Sequence, residues 1–255
     1  LQAAGYSLGQ SVTAFGEVVG MTMPLLFLPF IVTSALVVNL IPNISAEKTL
    51  MRSSNIELKS VLAIRIALLI SIPIAFIFFF FGGPICSFLY TKPSVGIYLR
   101  YLSVTVIFLS LHHIIAGILH GLGKQVITTV NYLIGMSLHL VCIYYLVAIP
   151  EIGINGFIIG FIFSSFLIFF LNIISLNRFL NVRIKFIKHF LNPIFSSILM
   201  IASIILSNNY LISLRAPMHL SVLLPTLLGF IVYSIMIILT GSIKPKTIKY
   251  ILSGR

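Results

Sequence analysis

Aspartate and tryptophan are both absent from this 255-residue chain, and its carboxylates number four: Glu17, Glu47, Glu57 and Glu151. Hydrolytic and glycosyl-transfer chemistry relies on paired carboxylates or on carboxylate–histidine clusters, and no such grouping occurs. The lack of Asp also argues against a membrane glycosyltransferase that holds a metal–diphosphate. The reading is that the protein is not an enzyme. Cysteine is scarce as well: Cys86 and Cys142 have no metal-type spacing and define no redox compartment. Charge is the largest shortage. Charged residues make up 8% and hydrophobic residues 59% of the chain, against roughly 25% and 45–50% in soluble domains.

What is present is a regular alternation. Seven intervals carry no charge, 18–46, 66–91, 101–123, 125–150, 152–177, 189–214 and 216–243, and they are 23 to 29 residues long. A helix needs about 20 apolar residues to cross a bilayer core of ~30 Å. The expected fold is therefore all-α integral membrane, with seven transmembrane helices near Ser11–Ile41, Val61–Phe81, Gly96–Leu119, Val126–Ala148, Ile154–Leu176, Leu191–Leu211 and Leu220–Thr240.

The basic residues fix an expected orientation. If the chain starts outside, the inner segments hold 13 Lys and Arg, including Lys48, Lys124, the Arg178–Lys188 stretch and the tail from Lys244. The outer segments hold three: Lys92, Arg100 and Arg215. The C-terminus is then cytoplasmic. The net charge of +12 reflects topology and contact with anionic inner-leaflet lipids rather than nucleic acid. The stretch NRFLNVRIKFIKHF alternates basic and apolar residues and is expected on the membrane surface. The chain opens on LQAAGYSLGQ without a start methionine or a signal-type leader, which reads as a piece of a longer protein.

Several motifs suggest chemistry. GILHGLGKQ, from Gly117 to Gln125, looks like a phosphate loop but has the wrong spacing and no Ser or Thr after its lysine. It reads as a tight inner turn after a Gly117-xxx-Gly121 pair that lets a neighbouring helix approach. The same spacing at Gly16–Gly20 and Gly156–Gly160 suggests that such packing recurs. Pro24 and Pro29 sit inside the first span, where each removes a helical hydrogen bond. They mark either a hinge or an ordinary kink. GGPICSFLYTKPSVG reads as an outer connection with a short amphipathic piece, and NLIPNISAEKTLMRSSNIELKS as an inner loop with a short helical stretch.

The candidate substrate-binding residues are Arg65, Arg100, Lys124, His113 and Glu17. Each basic residue sits at a span end, where it could hold an anionic head group or snorkel to lipid. His112, His113 and His120 share the third span. His113 and His120 are about 10 Å apart along a helix axis, too far for a zinc pair. They are either a polar relay or side chains satisfied by a neighbouring helix, and His139 is read the same way. Glu17 either pairs with a cation or proton, or caps a helix dipole. No metal or organic cofactor is expected; a coupling ion stays open.

The stretches AAGYSLGQSVTAFGEVVGMTMPLLFLPFIVTSALVVNLIPNIS and ILHGLGKQVITTVNYLIGMSLHLVCIYYLVAIPEIGINGFIIG carry a resemblance. They are similar to helix eight and helices ten to twelve of the polysaccharide transporter family, within the multidrug/oligosaccharidyl-lipid/polysaccharide (MOP) exporter superfamily. The sporulation branch is the nearest, and lipid II flippases and O-antigen flippases are related. The resemblance implies a MATE-like protein of 14 helices, of which this chain supplies helices 8–14. Residues 1–176 would form most of the second lobe, five helices; residues 177–255 would form a basic inner linker, two additional helices and a tail. It further implies a flippase that moves a polyprenyl-pyrophosphate-linked oligosaccharide or peptidoglycan precursor to the outer leaflet of a bacterial cell membrane, with the missing N-terminal half as partner. A cation-coupled multidrug exporter, or a scaffold of a cell-wall synthesis complex, are the alternatives.

Overall fold

The computed structural model describes residues 1–180 and 190–242. Among them every regular element is helical. In order these are a short 3-10 turn (Gln2–Ala4), α1 (Leu8–Phe15), a π-helical segment (Gly16–Thr22), α2 (Met23–Leu26), α3 (Leu28–Thr49), α4 (Ser53–Tyr90), α5 (Val95–Leu102), α6 (Thr105–Gly121), α7 (Gln125–Leu146), α8 (Asn155–Asn177), α9 (Asn192–Ser213) and α10 (Met218–Leu239). Six helices are long and apolar enough to cross a membrane alone, and α5 with α6, bent by 49°, makes a seventh if the pair is one crossing. The Arg178–Lys188 stretch expected on the membrane surface lies largely outside the described residues, and the tail from Lys244 lies wholly outside them.

The first span departs most from a plain helix. Ser7 caps α1 through a reciprocal pair with Gln10, as the S-x-x-Q pattern dictates. The chain then widens into seven π-helical residues, in which the Thr22 hydroxyl donates to the Glu17 carbonyl five residues back. The helix stops at Phe27, between Pro24 and Pro29, and restarts as α3. Both prolines thus flank a real interruption. The third crossing breaks too, at Ser103 and Val104, which the sequence reading did not foresee. There the Ser103 hydroxyl donates to the Arg100 carbonyl (2.7 Å) and the Thr105 hydroxyl to that of Leu102 (2.5 Å). Hydroxyls that bond locally to the backbone compete with the helical ladder.

Two expected loops are helical instead. The segment read as an inner loop continues α3 to Thr49, and a three-residue turn, with Met51 at φ 55°, leads straight into α4. The segment read as an outer connection continues α4 to Tyr90. Its 38 residues span about 57 Å at 1.5 Å per residue, longer than a bilayer core. Gly82 and Gly83 serve packing there: a Cβ on Gly96 of α5 would stand 2.5 Å from the Gly83 Cα.

α6 is the central helix, packed against α3, α4, α7 and α8. Lipid tails are as apolar as side chains, so helices associate through close contact rather than burial from water. A Cβ on Gly117 would come within 2.9 Å of Val37, and one on Gly121 within 2.8 Å of Ile44, so α3 and α6 meet along the pair of glycines the sequence suggested. Gly156 and Gly160 play the same part between α7 and α8. Gly16 and Gly20 do not: a Cβ on either meets nothing within 4 Å. Equal spacing cannot tell which face has a neighbour.

Two apolar cores result. One gathers Val18, Leu26, Phe78, Leu99 and Ile204; the other gathers Ile44, Ile64, Ile114, Leu119 and Leu176. Phe76 and Ile107 pack against both. α9 and α10 form a hairpin laid on α4. Pro73 of α4 has no N–H to offer the Leu69 carbonyl, and the Tyr233 hydroxyl of α10 donates to that oxygen at 2.7 Å. Pro225 of α10 frees the Ser221 carbonyl in the same way, and Asn208 of α9 donates to it at 2.5 Å.

Candidate functional site

The charged candidates separate into two ends of the bundle. At one end Lys48 of α3 donates to the Leu122 carbonyl (2.8 Å) and Lys59 pairs with Glu47 (2.8 Å). The Lys124 ammonium lies over the Phe179 ring, 4.7 Å from its centroid. At the other end Glu17 pairs with Lys92 (3.3 Å), and the Tyr90 hydroxyl donates to the Met21 carbonyl (3.0 Å). Residues assigned to one side by the alternation of charge therefore meet at one end, and those assigned to the other side meet at the opposite end. The first is called the basic end below.

The GLGK segment is a turn, as its spacing implied. Gly123 adopts φ +70°, which glycine tolerates best. The amides of Gly123 and Lys124 bond back to His120 and Leu119, both at 2.8 Å, which closes the end of α6 in the manner of a Schellman motif. Lys48 adds a positive charge at the same carboxyl end, where the helix dipole favours it. Lys124 is thus held by a cation–π contact with Phe179 rather than in a phosphate loop.

Each histidine of α6 has a partner on another element. His113 Nδ1 lies 3.1 Å from the Thr33 hydroxyl of α3 and its ring stacks on Phe30 at 4.8 Å. His120 Nε2 lies 2.8 Å from the Thr128 hydroxyl of α7. His112 Nδ1 lies 2.7 Å from Asn172 Nδ2 of α8. Asn172 in turn accepts from Asn131 Nδ2 of α7 (2.8 Å), which also donates to the Ser175 hydroxyl (3.1 Å). This buried chain joins three helices. The sequence reading singled out the histidines but not Asn131, Asn172 and Thr33. The signal was present, since both Asn stand in charge-free intervals where a carboxamide needs a partner. His139 differs: it lies against the rings of Phe157 and Phe161, and its Nε2 is buried without a hydrogen bond. Among the described residues no group of three His, Cys, Asp or Glu is placed to hold a metal.

The five candidates do not converge on one pocket. Glu17 and Arg100 are at the end opposite the basic end; Arg100 is exposed and lies 4.7 Å from the Phe79 ring centroid. His113 belongs to the α3–α6 contact. Pro24 is exposed and Pro29 buried, on either side of the break at Phe27. Two apolar grooves, of about 530 and 600 Å³, contain none of these residues; one lies between α4 and the α9–α10 hairpin, the other between α1 and the α7–α8 hairpin. Arg65 stands apart. It is half-buried on α4 toward the basic end, and its Nε is enclosed with no hydrogen-bond partner.

Known proteins bear on these residues. The MatE family pattern matches residues 4–145. Stage V sporulation protein B of Bacillus subtilis (strain 168) is 23% identical over 185 residues, which are 72% of this chain and 36% of that protein. The chain thus spans well under half the length of that relative. No solved structure matches.

Proposed function

Because the chain belongs to the MatE family, we propose that it is the second half of a flippase that carries a polyprenyl-pyrophosphate-linked oligosaccharide or peptidoglycan precursor from the inner to the outer leaflet of a bacterial cell membrane. The family match over residues 4–145 supports a membrane transporter, and the likeness to a sporulation protein is what favours a cell-wall precursor as its cargo in this reading. The basic end would face the cytoplasm. The remaining half of the transporter, outside this chain, would complete the cavity, and alternating access would need both halves.

The physical task supports a protein of this kind. A sugar–diphosphate head group cannot cross ~30 Å of hydrocarbon alone, because its charges and hydroxyls would lose their hydration. A cavity with a few basic and hydroxyl- or amide-bearing side chains replaces that hydration, while the polyprenyl tail stays in lipid. Arg65 is the leading head-group contact, since its guanidinium has an unspent donor. Arg100 is a candidate near the outer exit. Pro24, Pro29 and the interruption between them would let the first span bend.

A cation-coupled drug exporter would want a free acid deep in a helix; here Glu17 and Glu47 are both taken by lysines. The decisive experiment reconstitutes the full-length protein in liposomes and follows a polyprenyl-diphosphate-linked oligosaccharide to the opposite leaflet. Flipping that falls at least tenfold in Arg65→Ala is the expected result. A full-length protein that flips no such lipid would overturn the reading and favour a scaffold.

A further inference from the structure

The buried chain that joins α6, α7 and α8 has a direction, which follows from its far end. The Ser175 hydroxyl donates to the Leu171 carbonyl at 2.8 Å. Its one proton is spent there, so toward Asn131 it can only accept. Asn131 therefore presents its Nδ2, which gives one N–H to Ser175 (3.1 Å) and the other to Asn172 Oδ1 (2.8 Å). With its oxygen taken, Asn172 turns its own Nδ2 to His112 Nδ1, 2.7 Å away. That nitrogen is then a bare acceptor, and the proton of the neutral imidazole sits on Nε2. Three neutral side chains thus fix one tautomer of His112 and make its second ring nitrogen a donor.

That donor is unspent. His112 Nε2 makes no hydrogen bond among the described residues, yet unlike His139 Nε2 it is not sealed in. The ring lies nearly parallel to that of Tyr132 on α7, with centroids 6.3 Å apart, and Tyr132 is exposed. Gln125 and Thr129, seven and three residues before it, are exposed on the same face of α7. Tyr132 stands about 10 Å along the helix from Gln125, in an interval without charge. Polar groups left open at that depth border a wet cavity or a ligand rather than hydrocarbon.

We infer that His112 Nε2–H and the Tyr132 ring form a subsite for the saccharide of a lipid-linked sugar, with Asn172, Asn131 and Ser175 as positioning residues that hold the donor on Nε2. The inference rests on the lipid-linked reading above and deepens it. A neutral N–H suits the hydroxyl and ring oxygens of a sugar, and an aromatic ring suits its C–H face. A diphosphate calls for Lys or Arg. The intervals 101–123 and 125–150 hold neither, and Lys124, about 12 Å along α7 from Tyr132, is seated on Phe179.

The test uses the full-length protein in phosphatidylcholine nanodiscs, titrated separately with a polyprenyl-diphosphate-linked disaccharide and with the polyprenyl diphosphate alone. His112→Phe and Tyr132→Ala should each weaken binding of the disaccharide lipid about threefold to tenfold and leave binding of the bare diphosphate unchanged. Thermal midpoints report folding, and the exposed Tyr132→Ala serves if His112→Phe does not fold. The tautomer is read by nitrogen-15 NMR of histidine-labelled protein at about pH 8, where an ordinary imidazole is neutral. The signal lost in His112→Phe or His112→Gln should carry its proton on Nε2, and Asn172→Leu should move part of that population to Nδ1. A role in packing alone would shift midpoints without moving the proton. A wild-type proton on Nδ1, or disaccharide-lipid affinity unchanged in the folded variants, overturns the subsite. Equal loss for both lipids puts the contact at the diphosphate and overturns the saccharide assignment. Flipping by a wild type whose variants bind normally removes the subsite alone. A wild type that binds yet never flips removes the transport reading alone, and one that binds neither lipid removes both.

Discussion

The Tyr233 hydroxyl of α10 donates, at 2.7 Å, to the Leu69 carbonyl that Pro73 leaves without its helical partner. The additional hairpin is thus fastened to α4 through main-chain chemistry. Tyr233→Phe strands that carbonyl in a buried site and should lower stability by about 1–2 kcal/mol. Pro73→Ala restores an N–H to the ladder, so the double variant should recover most of the loss. Unfolding in detergent, followed as a four-member cycle, measures the coupling; strict additivity would show that the tyrosine does not serve the proline gap.

Gly121 lies so close to α3 that a Cβ would stand 2.8 Å from the Ile44 Cβ. Gly121→Leu should push the two helices apart and cost about 2–3 kcal/mol or more. Gly20→Ala, in open space within this chain, should change the stability of the same chain by about 0.5 kcal/mol or less. Melting curves of the two variants side by side decide it.

Asn131 and Asn172 should couple. Each single change to Leu removes two of the three bonds in the His112–Asn172–Asn131–Ser175 chain and should cost about 0.5–2 kcal/mol, the range seen for bonds between membrane helices. The double change should cost less than the sum, because both partners of one bond vanish together.

The Glu17–Lys92 pair, at 3.3 Å with a well-exposed lysine, should contribute little: Lys92→Ala is expected to cost about 0.2–1 kcal/mol in dilute buffer. Molar salt should erase that difference, since the Debye length falls to about 3 Å. A cost that persists in salt would point to packing by the lysine stem instead.

The charge-free intervals revealed the crossings because lipid admits few charges, and a helix of membrane length has little freedom in where it starts. The ends were harder. α4 runs on through Pro84 to Tyr90, since nothing in GGPICSFLY breaks a helix that packs against Gly96. The break at Ser103 was hidden because it depends on hydroxyls bonding back to the backbone, which a charge-free run does not reveal. Lys124 was legible as a turn residue from its glycine neighbours, but its seat on Phe179 depends on where α8 ends.

The interruptions at Phe27 and at Ser103–Val104 fall where the chain passes from one apolar core to the other. The helical ladder is already irregular at both breaks, with short i−3 bonds at Ser103, Val106 and Ile107, so a bend at either strains its crossing very little, while α4 bridges both cores as a single lever. Deuterium uptake in detergent should therefore be faster at residues 27–28 and 103–104 than in the turns on either side. The bundle is jointed in two of its crossings and stiff along one strut.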